Sequence, residues 1–244
     1  MKIYGSLTSP YVRKARVLIL EKKLAVELVT VDPWAEGTPI TGWNPLGKVP
    51  VLEIGPGNYL FDSNLVTHYL DHIDGKSLEP KDAAGYWQTQ WWQALGNGII
   101  DAVVERTLEQ RRLPRTQWPQ KMAREEQRVH RAVDAAEGAM RRGSFLVGST
   151  FTLADIVLGV ALQYMDFRYP HDWRVRAPKL ARWHKRIAAR GSFKETLPPE
   201  PAAKKRRSTD RAKASPPPAS PSPQPRAESA PAQGQDAGPV KDAS

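Results

Sequence analysis

Along the first 75 positions, short apolar runs alternate with one-sided apolar faces, and that alternation predicts strands and helices in turn. Residues 2–6 read as a short apolar strand. Thr8-Ser9-Pro10 then opens a helix, with Ser9 as N-cap and Pro10 at the first helical position, where its missing N–H is no loss. Val12, Ala15 and Ile19 form one apolar track and Val17, Leu20 and Leu24 another, which predicts a helix covered on two sides. Residues 26–31 are apolar and β-branched, a second strand ended by Asp32-Pro33. The segment through Trp43 is irregular, broken by Gly37, Pro39 and Gly42. Residues 49–54 and 58–61 form two strands around the hairpin signal Gly55-Pro56-Gly57. Asp62-Ser63 caps a helix through Ile73, with Leu65, Val66, Tyr69, Leu70 and Ile73 expected to face inward. The order βαβ, an irregular region, then ββα predicts a mixed sheet with helices on its faces, a thioredoxin-like unit over residues 1–77.

After Gly75 the strand pattern stops. Helical spacing predicts four helices, over 83–112, 120–142, 152–167 and 178–190, an all-α domain spanning 83–197. The first carries Trp87, Trp91, Trp92, Leu95, Ile99 and Val103 in helical register. The third has a folding signal at its start: Thr152 as N-cap, Asp155 three residues on, and Phe151 and Ile156 placed for a hydrophobic staple. Composition changes sharply at residue 198. Half of the prolines lie in residues 198–244, which hold no aromatic and Val240 as the sole large aliphatic. Such a segment cannot bury enough apolar surface to offset the entropy of ordering it, so a disordered tail is expected.

The formal net charge of the chain is +10. The tail carries eight Lys/Arg against five Asp/Glu, so the folded part is basic as well. Lys204-Lys205-Arg206-Arg207 reads as a solvated linker, because no aromatic stands near it to stack on a base; a nucleic-acid partner is not expected. The chain has no Cys, hence no disulfide, thiolate metal site or redox thiol of its own. No apolar run approaches the roughly 20 residues that span a bilayer, and the first residues lack the pattern of a signal peptide, so no membrane partner and a cytoplasmic location are expected.

The candidate chemistry centres on Asn44-Pro45-Leu46-Gly47-Lys48-Val49-Pro50-Val51-Leu52. Pro50 stands at the mouth of an apolar strand, where a residue without an N–H is tolerated. In trans it simply starts an edge strand. In cis it turns the N–H and C=O of Val49 outward, as a short unpaired strand for an extended peptide.

Taken together these pieces resemble the glutathione S-transferase family: a thioredoxin-like unit, an NPxGKVPVL stretch, an acidic-Ser pair on the next helix, and an all-helical second domain with a capping box and staple. Ser9-Pro10-Tyr11-Val12-Arg13-Lys14 is similar to the start of the bacterial YibF-like branch. The resemblance leaves the tail out. It implies a cis Pro50, with Val49 pairing the cysteinyl backbone of glutathione by β-augmentation. It implies that Ser63 binds the γ-glutamyl carboxylate at a helix N-terminus, that Asp62 accepts from the γ-glutamyl amine, and that Lys48 reaches the glycyl carboxylate. The family more often has Glu where Asp62 stands.

Ser9 is the implied catalytic residue. Its hydroxyl would donate to the glutathione sulfur and favour the thiolate; Thr8 and Tyr4 are secondary candidates. Related branches carry a Cys here, so Ser9 excludes thiol transfer through a protein thiol. The electrophile is expected between the domains, near Tyr11, Trp34, Trp91 and Arg106, with Arg111 and Arg112 as further cations. Asn97 and Asp101 are expected to reach the site of a partner subunit in a homodimer. His68 and His72 have the i, i+4 spacing of a metal pair, but no third ligand or HExxH pattern accompanies them, so no metal is assigned. Two readings follow: a detoxifying glutathione-dependent enzyme acting on a small electrophile or a peroxide, or a non-catalytic module of the same fold that binds a protein partner such as transcription machinery.

Overall fold

A computed structural model describes residues 1–169 and 171–199; most of the expected tail lies outside the described residues. Four strands form one sheet in the order β2-β1-β3-β4: β1 (Lys2–Gly5), β2 (Glu27–Thr30), β3 (Val51–Gly55) and β4 (Asn58–Phe61). β1 pairs parallel with β2 and antiparallel with β3, and β3 pairs antiparallel with β4. The parallel step is made by α1 (Pro10–Lys22), because a parallel pair needs a crossover rather than a hairpin. A short α2 (Ile40–Trp43) sits within the segment read as irregular. The antiparallel step β3–β4 is the expected hairpin, with Gly57 at φ +74°, a conformation glycine adopts without steric cost. α3 (Ser63–His72) follows β4 directly.

The rest is helical: α4 (Ala83–Arg111), α5 (Pro119–Ala139), α6 (Leu153–Arg168), α7 (Pro178–Ala188) and α8 (Gly191–Glu195). α4 packs on both α5 and α6, and α6 is the most completely buried helix, its run from Leu153 to Leu162 lying wholly inside. The capping box forms as expected: the Asp155 carboxylate accepts from the Thr152 N–H at 2.9 Å and also from the Leu146 N–H at 3.0 Å. α1 joins the two parts, packing on α3 on one side and on α6 and α8 on the other. Its cations explain how: Arg13 is buried and donates to the Thr196 hydroxyl and the Phe193 carbonyl. Among the described residues no helix is long and apolar enough to cross a membrane.

Several sequence expectations change. α8 is a further short helix beyond the expected fourth one, which ends at residue 190. Leu65 and Ile73, expected to face inward from α3, are exposed, and Thr67 and Asp71 take the inner positions instead. Of the three tryptophans at the start of α4, only Trp92 is core; Trp87 and Trp91 are exposed.

Candidate active site

Sheet register brings three distant stretches of chain to one end of the sheet. Tyr4 of β1 lies opposite Val51 of β3, and Val51 lies opposite Phe61 of β4. The chain leaves β1 toward Ser9, enters β3 through Val49-Pro50, and leaves β4 toward Asp62-Ser63. Because β3 runs antiparallel to both neighbours, all three connections emerge at the same end of the sheet.

Ser9 caps α1 from extended backbone, and its Oγ accepts the Val12 N–H at 3.3 Å. A hydroxyl that accepts there still has its own proton to donate, and it sits at the positive end of a helix. The secondary candidates are engaged elsewhere. The Tyr4 hydroxyl donates to Glu53 at 2.7 Å, and that carboxylate pushes the Tyr4 pKa up to about 12. Thr8 Oγ1 and Ser6 Oγ share a hydrogen bond at 3.0 Å.

The Val49–Pro50 peptide is cis. Among the described residues no hydrogen bond engages the N–H or C=O of Val49. The loop before it is set by Asn44, which is buried: its amide donates to the Lys48 carbonyl at 2.8 Å and its Oδ1 accepts the Leu46 N–H at 2.9 Å. Lys48 itself is exposed. Asn44 opens the stretch on which the sequence reading centred, and an Asn ahead of Pro-Leu-Gly is a turn signal with this mechanism.

Asp62 stands at φ 70° and ψ 127°, a conformation that costs a non-glycine residue roughly 1–3 kcal/mol. Its carboxylate offsets this by accepting from the Asn64 N–H at 2.7 Å and the Leu65 N–H at 3.3 Å. These bonds occupy two donors of the first turn of α3. The Ser63 N–H has no acceptor among the described residues, and Ser63 is buried to 7% exposure. A buried N–H and hydroxyl at a helix start are groups able to receive an anion.

Directly behind this helix start is a feature not read from the sequence. Lys14 is fully buried in α1, and its ammonium donates to Asn64 at 2.9 Å and to Asn97 of α4 at 2.6 Å. Burial pushes the Lys14 pKa down to about 8, against the opposing pull of Asp62 and Asp101. Asn97 also donates to Asn64 at 2.8 Å, and the Tyr11 hydroxyl donates to Asp101. Burial first, and this carboxylate next, drive the Tyr11 pKa upward. Asn97 and Asp101 thus engage α1 and α3 of their own chain. A cation within a helix covered on two sides was the available signal for Lys14.

The residues grouped for an electrophile do not form one cluster. Tyr11 meets α4 at Asp101, not at its tryptophan-rich start. Trp91 and Arg106 lie 15 residues apart on that helix, about 22 Å at 1.5 Å per residue. Arg106 is buried, with its guanidinium 4.9 Å from the centre of the Tyr169 ring, so it packs rather than presents an open cation. Trp34 is 74% exposed on the loop after β2.

Residues 3–78 match the model of the glutathione S-transferase N-terminal domain and residues 119–186 that of the glutathione S-transferase C-terminal domain. The chain is similar to the GST-like protein YibF of Escherichia coli (strain K12), with 33% identity over 202 residues covering 82% of this chain and 100% of that one. It is also similar to the crystal structure of a glutathione S-transferase from Methylobacillus flagellatus KT with glutathione bound: TM-score 0.77, 36% identity, 81% of this chain and 98% of that one. A glutathione S-transferase from Methylobacterium radiotolerans JCM 2831, in complex with glutathione sulfonate, gives a TM-score of 0.77 at 33% identity, over 84% of this chain and 98% of that one.

Proposed function

The chain belongs to the glutathione S-transferase family, and from that premise we propose that it binds glutathione, holds its sulfur as thiolate beside Ser9, and directs that thiolate at a small electrophile or a peroxide. The observation that carries the reading is the convergence, at one end of the sheet, of the Ser9 hydroxyl, the unpaired Val49 backbone and the Asp62-Ser63 helix start. Each suits one part of an extended tripeptide. The Val49 N–H and C=O pair the cysteinyl backbone as one added strand residue. The Ser63 N–H and hydroxyl take the γ-glutamyl carboxylate, and Asp62 takes the amine through the carboxylate oxygen its cap leaves free. Lys48, exposed on the adjacent loop, supplies a cation for the glycyl carboxylate.

Ser9 keeps its proton throughout. A free thiol has a pKa of about 8.5, and a shift of about two units, worth about 2.7 kcal/mol, makes it mostly thiolate at neutral pH. One hydrogen bond to the charged sulfur supplies roughly 1.5–3 kcal/mol, and the α1 terminus adds about 0.3–1 kcal/mol. The two contributions reach the required magnitude without a further group. The thiolate then forms a C–S bond with the electrophile as its leaving group departs. With an organic hydroperoxide, the sulfur attacks the terminal oxygen, the O–O bond breaks and the alkoxide leaves and takes up a proton as the alcohol; a second glutathione resolves the resulting sulfenic acid to the disulfide with release of water.

Calorimetric titration with glutathione tests the binding, and turnover of an activated aryl halide and of an organic hydroperoxide tests the chemistry. Saturable heat with turnover of either substrate supports an enzyme. Heat without turnover leaves a glutathione-binding module, and no heat at millimolar glutathione refutes the proposal and leaves the fold as a scaffold for a protein partner.

A further inference from the structure

The histidine pair of α3 has an acidic neighbour that its i, i+4 spacing alone does not show. His68 and His72 lie one turn apart on the exposed face, and the chain after α3 folds back to bring Glu79 to them. His68 Nδ1 is 3.7 Å and His72 Nε2 4.0 Å from Glu79 Oε2, and the three ligand atoms all lie within 4.8 Å of one another. These separations are too long for hydrogen bonds, so neither ring donates to the carboxylate. They are close to the spacing of donors around one metal ion, about 3.3 Å for tetrahedral ligands at 2.0–2.1 Å. Rotation of the exposed His68 imidazole, with a small shift of His72 and Glu79, closes the difference.

The groups around the three ligands point the same way. His72 Nδ1 lies 2.9 Å from the His68 carbonyl, an acceptor only, so Nδ1 carries the proton and Nε2 presents its lone pair toward Glu79. The other oxygen of Glu79 accepts from the Gln90 side chain of α4 at 2.7 Å, which leaves Oε2 turned to the histidines. The Glu79 backbone is held in turn: its N–H donates to Ser77 Oγ at 2.9 Å, and Ser77 donates to the buried Asp71 at 2.6 Å. Asp71 also accepts the Leu78 N–H at 3.0 Å. One imidazole tautomer and one carboxylate rotamer are therefore preset by hydrogen bonds outside the ligand set, as metal ligands require.

We propose that His68, His72 and Glu79 bind one divalent transition-metal ion, with Zn²⁺ the reference ion, clamping the end of α3 to the segment that leads into α4. Two imidazoles and a carboxylate suit Zn²⁺ and exclude selectivity for Mg²⁺ or Ca²⁺, which take oxygen ligands. Both rings are about half exposed, so water completes the coordination. The site is separate from the glutathione seat at the other end of α3.

The test uses the full chain without an affinity tag, stripped by a chelator and titrated with Zn²⁺ against a chromogenic zinc indicator. One Zn²⁺ per chain is expected in the micromolar range, with a rise of several degrees in melting temperature that Mg²⁺ does not produce. His72→Ala and Glu79→Gln should each abolish that site and the rise, and Gln90→Leu should weaken it about tenfold. His72 is solvent-exposed and Glu79→Gln keeps the shape of the side chain, so metal-free melting temperatures near the parent show that both variants fold. Binding weaker than millimolar, or Zn²⁺ affinity and stabilisation unchanged in both ligand variants, overturns the assignment.

Discussion

Replacing Lys14 by Met should make the protein more stable at neutral pH and less so relative to the parent as pH rises. The ammonium is fully buried among α1, α3 and α4, and its pKa is pushed down to about 8 from an ordinary 10.5. A gap of that size corresponds to about 3 kcal/mol by which the fold disfavours the charged amine. Met removes that cost. It also removes the hydrogen bonds to Asn64 and Asn97, at about 1 kcal/mol each. Asn64 and Asn97 keep their bond to each other at 2.8 Å, and partly exposed Asn97 can turn to water, so no buried group is orphaned. The net expectation is a gain of about 1 kcal/mol at pH 7, or roughly 2–4 °C in melting temperature for a chain of this size.

The sign with pH follows from proton counting. Between pH 8 and 10.5 the unfolded chain holds the Lys14 proton and the folded chain has begun to lose it, so parent stability rises with pH in that window. Below pH 8 the cost is fully present. Urea unfolding of both proteins at pH 7, 9 and 10 should show the Met variant ahead at pH 7 and the advantage lost or reversed by pH 10. A Met variant less stable at pH 7, or a difference that does not change with pH, would refute the reasoning. A buried cation that lowers stability is explicable if it serves the proposed anion seat in front of it, so the same variant should bind glutathione several-fold more weakly.

Ser9→Ala should leave glutathione affinity nearly unchanged while raising the bound thiol pKa by one to two units, read by thiolate absorbance at 240 nm against pH, about 1.5–3 kcal/mol of lost hydrogen bond; an unchanged thiolate fraction leaves Ser9 as a cap alone. Gly96→Ala should destabilise by about 1–3 kcal/mol, because a Cβ there would lie 2.8 Å from Val157 Cγ1 and 3.2 Å from the Leu158 backbone at the α4–α6 contact. Gly98→Ala, two residues on and facing open space, should instead stabilise by about 0.5–1 kcal/mol, and chemical denaturation separates the two. Thr152→Ala should cost about 1–2 kcal/mol in the same assay through loss of the hydroxyl bond to Asp155.

Local rules made much of this fold legible. Ser9-Pro10, Asp62-Ser63 and Thr152 with Asp155 each announce a helix start through chemistry confined to four residues, and α1, α3 and α6 begin there. The hairpin at Gly57 is equally local. What escaped the sequence depends on which surfaces meet. Leu65 and Ile73 fit an inward face by period, yet their neighbours on the helix took the covered side. The span of α4 likewise defeated grouping by residue type: Trp91 and Arg106 share a helix but not a site.

Two polar clusters flank α3, and they assemble differently. Lys14 meets Asn64 and Asn97, and the α3 histidines meet Glu79 and Gln90. In the first, α1, α3 and α4 supply groups far apart in sequence, brought together when the helical part docks on the sheet; in the second, the chain folds back just after α3 to bring Glu79 to the histidines. Polar residues at such a junction must find partners or stay unsatisfied, so each cluster fixes how the junction closes. The Lys14 cluster is closed by hydrogen bonds already in place. The histidine cluster has its outer bonds made while its three ligand atoms make no hydrogen bond to one another, and that asymmetry is why Zn²⁺ should change the melting temperature while leaving the Lys14 pH dependence untouched.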